Sequence, residues 1–288
     1  MEKLILGTVQ FGLKYGINNK LGKPSREEVF KILDFAFRSG IKILDTAESY
    51  GNSHQIIGDY HKERRRNKFK INTKLPEKLN QKNIEFIVIK FLRDLNVKNI
   101  ETLMFHSFQS YYDFRDKMRS FNAIKNNQLV KNIGVSVYTN EQVEFLIKED
   151  RVNLVQLPFN LFDNKLHRGE VIKKLKNSGK IVHIRSAFLQ GLFFKSGLEN
   201  VYPINKLKNE LRELKKLSKK YNVNISSMAL SYCLAQQNVE KVLMGVDSKL
   251  QLSENIKSVQ LQIDKELVEE IDSINIVNKN LLNPSKWP

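Results

Sequence analysis

The chain has 288 residues, 41% of them hydrophobic and 27% charged, with a formal net charge of +17. That length and apolar share support a substantial core, while the apolar runs, such as Ile41 to Leu44 interrupted by Lys42, are too short to cross a bilayer. The amino terminus, MEKLILGTVQFG, runs from a brief apolar stretch into glycines without the form of an export signal, so a cytoplasmic location is expected. The positive charge is spread along the chain in 36 lysines and 12 arginines, a broad compositional bias rather than a nucleic-acid-binding face.

Short apolar runs alternate with longer amphipathic segments from end to end, the pattern of repeated βα units and a parallel sheet. A first strand is expected over residues 4–7. A helix over 25–38 follows, opened by Ser25 with Glu28 three residues on as a capping box and stopped by Gly40 before a second strand over 41–44. The densest basic run, KERRRNKFK from Lys62 to Lys70, lies between a predicted helix and a third strand over 69–73. It reads as solvated surface, with an anion or partner site as the lesser alternative. Helix 84–95 then leads to strand 100–105, helix 112–127 to strand 133–135, and helix 140–148 to strand 154–157. Helix 165–177, stopped by Gly179, precedes strand 181–184. Helical stretches over 204–221 and 226–235 come before the eighth strand at 241–244. The lone Cys233 falls in the second of these, in MALSYCLA, as a buried structural thiol; it excludes an intramolecular disulfide and a Cys metal cluster. A last helix pair covers 250–258 and 265–274.

No Pro-rich or Ser-rich linker divides the chain, so residues 1–288 read as one domain. Eight βα units fit a closed (β/α)8 TIM barrel better than an open doubly wound sheet. The first strand ends in GTVQFGLKYG, which lacks the GxGxxG of a Rossmann fold.

In a parallel barrel the active site lies at the carboxyl ends of the strands. Strand two ends at Asp45 with Tyr50 five residues on (ILDTAESYG), strand three at Lys74 (INTKLP) and strand four at His106 (LMFHSF). Singly, each has a structural explanation: a helix cap, a solvated ammonium, a packed ring, a satisfied imidazole. Together they bring an acid, a phenol, an ammonium and an imidazole to one mouth. Carbonyl reduction needs a proton on oxygen as well as hydride on carbon, and a free phenol is a poor acid at neutral pH. An ammonium at Lys74, held by Asp45, stabilises the phenolate that Tyr50 leaves, and His106 orients the carbonyl.

With these residues in place, the chain resembles the aldo-keto reductase family through LGTVQFG, LDTAESYG, NTKLP, LMFHS, IGVSVY, LVQLPFN, FLQGL and GVDSKLQLSEN, in order over nearly its whole length. The resemblance implies NAD(P)H-dependent reduction of a carbonyl by a tetrad at Asp45, Tyr50, Lys74 and His106. It implies that Ser136 and Gln156, with Asn160 a weaker candidate, hold the nicotinamide carboxamide, and that Gly7 and Thr8 border its ribose. Leu189, Gln190, Gly191 and Leu192 should lie along the pyrophosphate, where Gly191 permits close backbone approach. Ser248, Lys249, Gln251, Glu254 and Asn255 match the residues that meet the 2′-phosphate and adenine.

Three departures from that pattern stand out. Arg185 in IRSAFLQG replaces an aromatic residue that stacks on the nicotinamide in many relatives; it is expected to stack through its guanidinium or to face an anion on cofactor or substrate. Gly245 replaces a basic residue that some relatives place immediately after strand eight and Gln251 an Arg used on the 2′-phosphate, although Lys249 and the net charge lean toward NADPH over NADH. The chain begins directly at strand one, without an amino-terminal floor hairpin, and the helix at 265–274 is expected to cover part of the floor. Specificity is expected from residues 109–116, 188–203 and the tail 277–288, with Phe11, Tyr111, Tyr112, Phe159 and Trp287 as candidate pocket aromatics. The small-molecule substrate class expected from similar short reductases is a keto-sugar or sugar nucleotide. The alternatives are a cofactor-binding regulatory subunit of the same fold without turnover, and a Schiff-base aldolase using Lys74.

Overall fold

The computed structural model describes residues 1–19, 22–80, 83–195, 202–259 and 263–287. Among these, β1 (Leu4–Gly7), β2 (Ile43–Asp45), β3 (Lys70–Lys74), β4 (Ile100–Phe105), β5 (Val130–Ser136), β6 (Leu154–Pro158), β7 (Ile181–Arg185) and β8 (Lys241–Gly245) form a closed barrel. Every neighbouring pair is parallel, and β8 returns to β1. A single turn, α1 (Val9–Gly12), follows β1, and then α2 (Arg26–Arg38). The crossovers that follow are α3 (Ser53–Glu63), α4 (Ile84–Leu95), α5 (Phe108–Phe114) with α6 (Asn122–Asn126), α7 (Asn140–Ile147) and α8 (Lys165–Asn177). The chain continues through α9 (Lys208–Lys220) and α10 (Ile225–Leu234) to β8, and then α11 (Lys249–Ser258) and α12 (Lys265–Ser273). No helix of the described residues is long and apolar enough to cross a membrane.

Register partners on adjacent strands point to the same face. Gly7 pairs with Asp45, Asp45 with Asn72, Lys74 with Met104, and Ser136 with Gln156. The polar residues at the strand ends therefore converge inside the barrel rather than scattering around it. The strands run one residue further than expected at several carboxyl ends, so that Asp45, Lys74, Ser136, Arg185 and Gly245 are the last residues of their strands rather than loop residues.

The local signals act in identifiable ways. Ser25 Oγ accepts from the Glu28 amide at 3.2 Å and opens α2, while the Glu28 carboxylate accepts from the Lys249 amide at 2.8 Å. The expected capping box is thus half used within its own helix and half used to seat α11. Gly40 and Gly179 stop α2 and α8 with φ of 88° and 77°.

The helix expected over 112–127 is instead three pieces: α5, a 3-10 segment Arg115–Phe121, and α6. Ser107 starts α5 early by accepting from the Ser110 amide at 3.1 Å. Beyond Phe114, the buried Met118, Phe121 and Ile124 recur every third residue, which aligns on one face of a 3-10 helix but drifts around an α-helix. In the stretch expected over 204–221, Leu207 is buried at φ −118° and separates a 3-10 turn, Ile204–Lys206, from α9. The helix expected on the barrel floor, α12, lies against α8 on the flank. Asn164, at the top of α8, donates to the carbonyls of Ile271 and Ile274 at 2.7 and 2.9 Å. That anchor carries the tail toward the barrel mouth.

Three buried histidines tie folding to pH. Burial, with nearby lysine ammoniums, pushes His54 and His61 down to about 4 and His183 down to about 3. Their folded values lie below the unfolded one, so their contribution is complete above about pH 6.5 and is lost as pH falls toward the folded values. Each such group removes up to about 1.4 kcal/mol per pH unit in that interval. Denaturant titrations should show unfolding free energy level from pH 8 to 7 and falling between pH 6.5 and 5, above the range where carboxylates titrate; a level profile down to pH 5 would contradict this.

Candidate active site

A cavity of about 640 Å³ opens at the carboxyl ends of the strands. At its base, Lys74 from β3 donates to Asp45 Oδ1 from β2, and both side chains are almost wholly buried. Asp45 Oδ2 accepts from Gln156 Nε2 of β6 at 2.9 Å, and Lys74 Nζ also donates to the Thr46 carbonyl at 3.3 Å. Burial alone would depress the Lys74 ammonium; attraction to Asp45 and to the Tyr50 phenol, with the hydrogen bond to Asp45, outweighs it and holds Lys74 above the usual lysine value. A nucleophilic amine needs the opposite shift, so the aldolase alternative finds no support here.

Above this pair stand Tyr50 and His106. Lys74 Nζ lies 5.4 Å from the Tyr50 ring centroid, and the Tyr50 and His106 rings meet edge to face at 5.8 Å. His106 Nδ1 is 3.3 Å from Ser49 Oγ. Burial first, then the Lys74 and Arg185 charges, push His106 down to about 4, so its imidazole is neutral at pH 7. The loop that delivers Tyr50 is fixed by a buried hydroxyl cluster: Thr8 Oγ1 donates to the Asp45 carbonyl at 3.1 Å, and Ser53 Oγ contacts Thr8 Oγ1 and Thr46 Oγ1 at 3.0 and 3.1 Å. Gly12 at the end of α1 is the close approach that permits this loop, since a Cβ there would lie 1.7 Å from the Tyr50 carbonyl oxygen.

Of the expected cofactor residues, Gly7, Thr8, Ser136, Gln156 and Arg185 line the cavity beside the four just described, and Gln190, Gly191, Gln251, Glu254 and Asn255 line its other end. Leu189 and Leu192 are fully buried in the core. Ser248 is spent as the α11 cap, accepting from the Gln251 amide at 3.2 Å, and Lys249 is exposed with Nζ 5.6 Å from the Phe35 ring centroid. Neither lines the cavity. Asn160 is buried off the cavity, its side-chain Oδ1 accepting from the Phe162 and Asp163 amides at 3.0 Å.

Among the expected pocket aromatics, Phe11, Tyr111 and Phe159 are fully buried core residues. Tyr112 belongs to an outer cluster with Phe108 and Phe145, and Trp287 donates to the Leu281 carbonyl at 3.2 Å; neither faces the cavity. Besides Tyr50, the lining aromatics among the described residues are instead Tyr15, Tyr138, Phe188 and Phe194. Residues 109–116, which span most of α5 and the start of the 3-10 segment after it, contribute nothing to the cavity; the tail contributes Pro284 and Ser285. Part of the expected 188–203 loop, residues 196–201, and residue 288 of the tail lie outside the described residues.

Residues not anticipated from the sequence complete the wall. Gln10 fills the space left by Gly245, its amide atoms lying 2.7 and 2.9 Å from where a Gly245 Cβ would be. Asp247 lines the cavity and accepts from Asn19 Nδ2 at 3.1 Å. The turn after β7 carries left-handed backbone at Ser186, Leu189, Gln190 and Gly191, with φ from 44° to 87°, the kind of conformation that clusters at ligand clamps. It is braced by the Ile17 amide donating to the Gln190 carbonyl at 3.1 Å and by Gln190 Nε2 donating to the Tyr15 hydroxyl at 3.0 Å. Gln10, Tyr138 and Asp247 each lie within three residues of a strand end, inside GTVQFG, GVSVY and GVDSKL, which is the signal that marks them.

The donor set suits a nicotinamide dinucleotide. Gln156 is fully buried, its Nε2 is committed to Asp45, and its Oε1 has no hydrogen-bond partner. An orphaned buried acceptor at a cavity wall matches the amide N–H of a carboxamide.

The aldo/keto reductase family model matches residues 3–276. The NADH-specific methylglyoxal reductase of Escherichia coli is 22% identical over 311 residues, covering 91% of this chain and 95% of that protein. The L-galactose dehydrogenase of Arabidopsis thaliana is 22% identical over 316 residues, covering 98% and 94%. Among solved structures, the aldo-keto reductase AKR11C1 from Bacillus halodurans in its holo form superposes with a TM-score of 0.80 at 20% identity, covering 95% of this chain and 92% of that one.

Gly12→Ala tests the local architecture. The added methyl must push the Tyr50 loop away, so carbonyl-dependent oxidation of a reduced nicotinamide cofactor should fall at least about tenfold. Wild-type rates in that variant would show that the Gly12–Tyr50 approach is dispensable.

Proposed function

Since this chain belongs to the aldo/keto reductase family and is an NAD(P)H-dependent oxidoreductase, we propose that it reduces a small polar aldehyde or ketone with Tyr50 as proton donor. The observation that carries this reading is the buried Lys74–Asp45 pair beneath a phenol and a neutral imidazole at one cavity mouth. When bound, the reduced nicotinamide supplies hydride to the carbonyl carbon. Tyr50 gives its hydroxyl proton to the carbonyl oxygen, and the Lys74 charge stabilises the phenolate that remains. Asp45 keeps Lys74 charged and in place. In the tautomer that serves this role, neutral His106 accepts from Ser49 at Nδ1, carries its proton on Nε2 and offers it to the carbonyl oxygen, fixing that oxygen near Tyr50.

Ser136 and the free Oε1 of Gln156 hold the carboxamide; Gly7 and Thr8 border the ribose, and the Gln190–Gly191 turn the pyrophosphate. The coenzyme we favour is NADH, against the NADPH that Lys249 and net charge suggest. Lys249 is off the cavity, whereas Asp247 and Glu254 line it with Gln251 and Asn255. Among the described lining residues the basic groups are Lys74 and Arg185, both at the Tyr50 end. A 2′-phosphate would meet carboxylates, while a 2′-hydroxyl would give Asp247 a donor. The E. coli relative is itself NADH-specific. A keto-sugar or sugar-derived aldehyde is the substrate class we favour, in keeping with the polar lining and with a relative that acts on L-galactose.

The test is a fluorescence titration with NADH and NADPH, followed by oxidation of the cofactor at 340 nm over a panel of sugar-derived and simple carbonyls. NADH should bind at least tenfold more tightly, and Asp247→Ser should narrow the gap. Tyr50→Phe should bind NADH with an affinity close to wild type yet lose roughly 100- to 10,000-fold in turnover, the usual worth of a positioned general acid. Cofactor binding without turnover on the panel would favour a regulatory subunit, and unchanged turnover in Tyr50→Phe would remove the proton-donor role.

A further inference from the structure

We propose that Arg185 is the receptor for an oxyanion on the substrate, so that the carbonyl compound turned over here carries a carboxylate or phosphate near its carbonyl. This rests on the reductase reading above and specifies its substrate.

Arg185 ends β7 and is half-buried in the cavity wall. Its side chain reaches back across β6 to β5: Nε donates to Ser136 Oγ at 3.3 Å and Nη2 to the Val137 carbonyl at 3.1 Å, while Nη1 donates to Ser186 Oγ at 3.3 Å. The guanidinium lies 4.2 Å from the Tyr138 ring centroid, which fixes its plane. All three acceptors are neutral and the contacts are long. A guanidinium has five N–H groups, so one on each terminal nitrogen remains, without an acceptor among the described residues. Two such donors suit the two-point contact of a carboxylate or phosphate.

The charge balance supports the same assignment. Among the described residues no carboxylate lies within 4.0 Å of Arg185, whereas the buried Arg168 is held by both oxygens of Asp163 at 2.7 and 2.9 Å. A cation partly withdrawn from water without a counter-charge is costly, and a ligand anion would offset that cost. Lys74 is cancelled by Asp45 and His106 is neutral, which leaves Arg185 as the net positive charge beside the reacting carbonyl. The cavity's remaining carboxylates, Asp247 and Glu254, follow β8, and Arg185 points the other way, toward β5 and the His106 side. A cofactor pyrophosphate running along Gly191 toward α11 would lie on the β8 side, so the unpaired donors are placed for substrate rather than cofactor.

The test measures kcat/KM with saturating NADH for two pairs: succinic semialdehyde against pentanal, and glyceraldehyde 3-phosphate against glyceraldehyde. Wild type should favour the anionic member of at least one pair by tenfold or more, and which pair does so separates carboxylate from phosphate. Arg185→Gln should cut that preference at least tenfold, and Arg185→Lys should recover part of it, as charge without the planar fork. Preferences near unity in wild type, or unchanged in Arg185→Gln, would overturn the inference while leaving the reductase reading standing. Equal losses on both members together with weaker NADH binding would assign the guanidinium to the cofactor and also overturn it. If wild type bound NADH but oxidised it with none of the four compounds, this inference would fail, and turnover on the broader panel above would show whether the reductase reading fails with it.

Discussion

The buried ion pair between Lys74 and Asp45 is the constraint on which the mouth of this barrel depends. Two charges withdrawn from water repay their desolvation only when geometry is good and the remaining polar atoms are satisfied. Here Asp45 divides its oxygens, one to Lys74 and the other to Gln156 on the far side of the barrel. Strands β2, β3 and β6 are thereby coupled through one carboxylate. The arrangement also commits the Gln156 Nε2 and leaves its buried Oε1 without a hydrogen-bond partner.

Around that pair the protein controls charge by burial. Lys74 stays charged because Asp45 is beside it, while His106 stays neutral because it is largely withdrawn from water and, secondarily, because the Lys74 and Arg185 charges are near. In the proposed mechanism the ammonium and the uncharged imidazole beside one phenol divide electrostatic support and orientation between them. The loops that bring these groups together are braced by backbone and hydroxyl contacts: the Gly12 turn against Tyr50, Thr8 and Ser53 beneath it, and residues 15–19 against the turn after β7 and Asp247. Such bracing holds side chains within the narrow tolerances that proton and hydride transfer require.

Much of this was legible in the sequence because strand ends are marked twice, by the close of an apolar run and by the reactive residue after it. Asp45, Lys74 and His106 were placed that way, and the closed barrel followed from counting eight βα units. Side-chain direction around a helix or within a loop carries no such mark. Lys249 and Gln251 are two positions apart, about 200° around α11, and only Gln251 faces the cavity. Phe11, Tyr111 and Phe159 were plausible pocket aromatics by position, yet tertiary packing draws them wholly into the core. Gln10 stands near the end of β1, but its packing into the space beside Gly245 depends on β8 closing onto β1, which no local run marks. The broken helix over 112–127 was readable in principle, since the spacing of Met118, Phe121 and Ile124 is three throughout.

The central claim is that the mouth built on Lys74 and Asp45 directs hydride to a carbonyl carbon. The most direct measurement is isotopic: supply NADH carrying deuterium at the transferable C4 position, convert an accepted aldehyde, and locate the label in the alcohol by mass spectrometry. One deuterium on the carbinol carbon per turnover is the predicted result. Alcohol formed without deuterium, or NADH oxidised with no alcohol at all, would contradict the account.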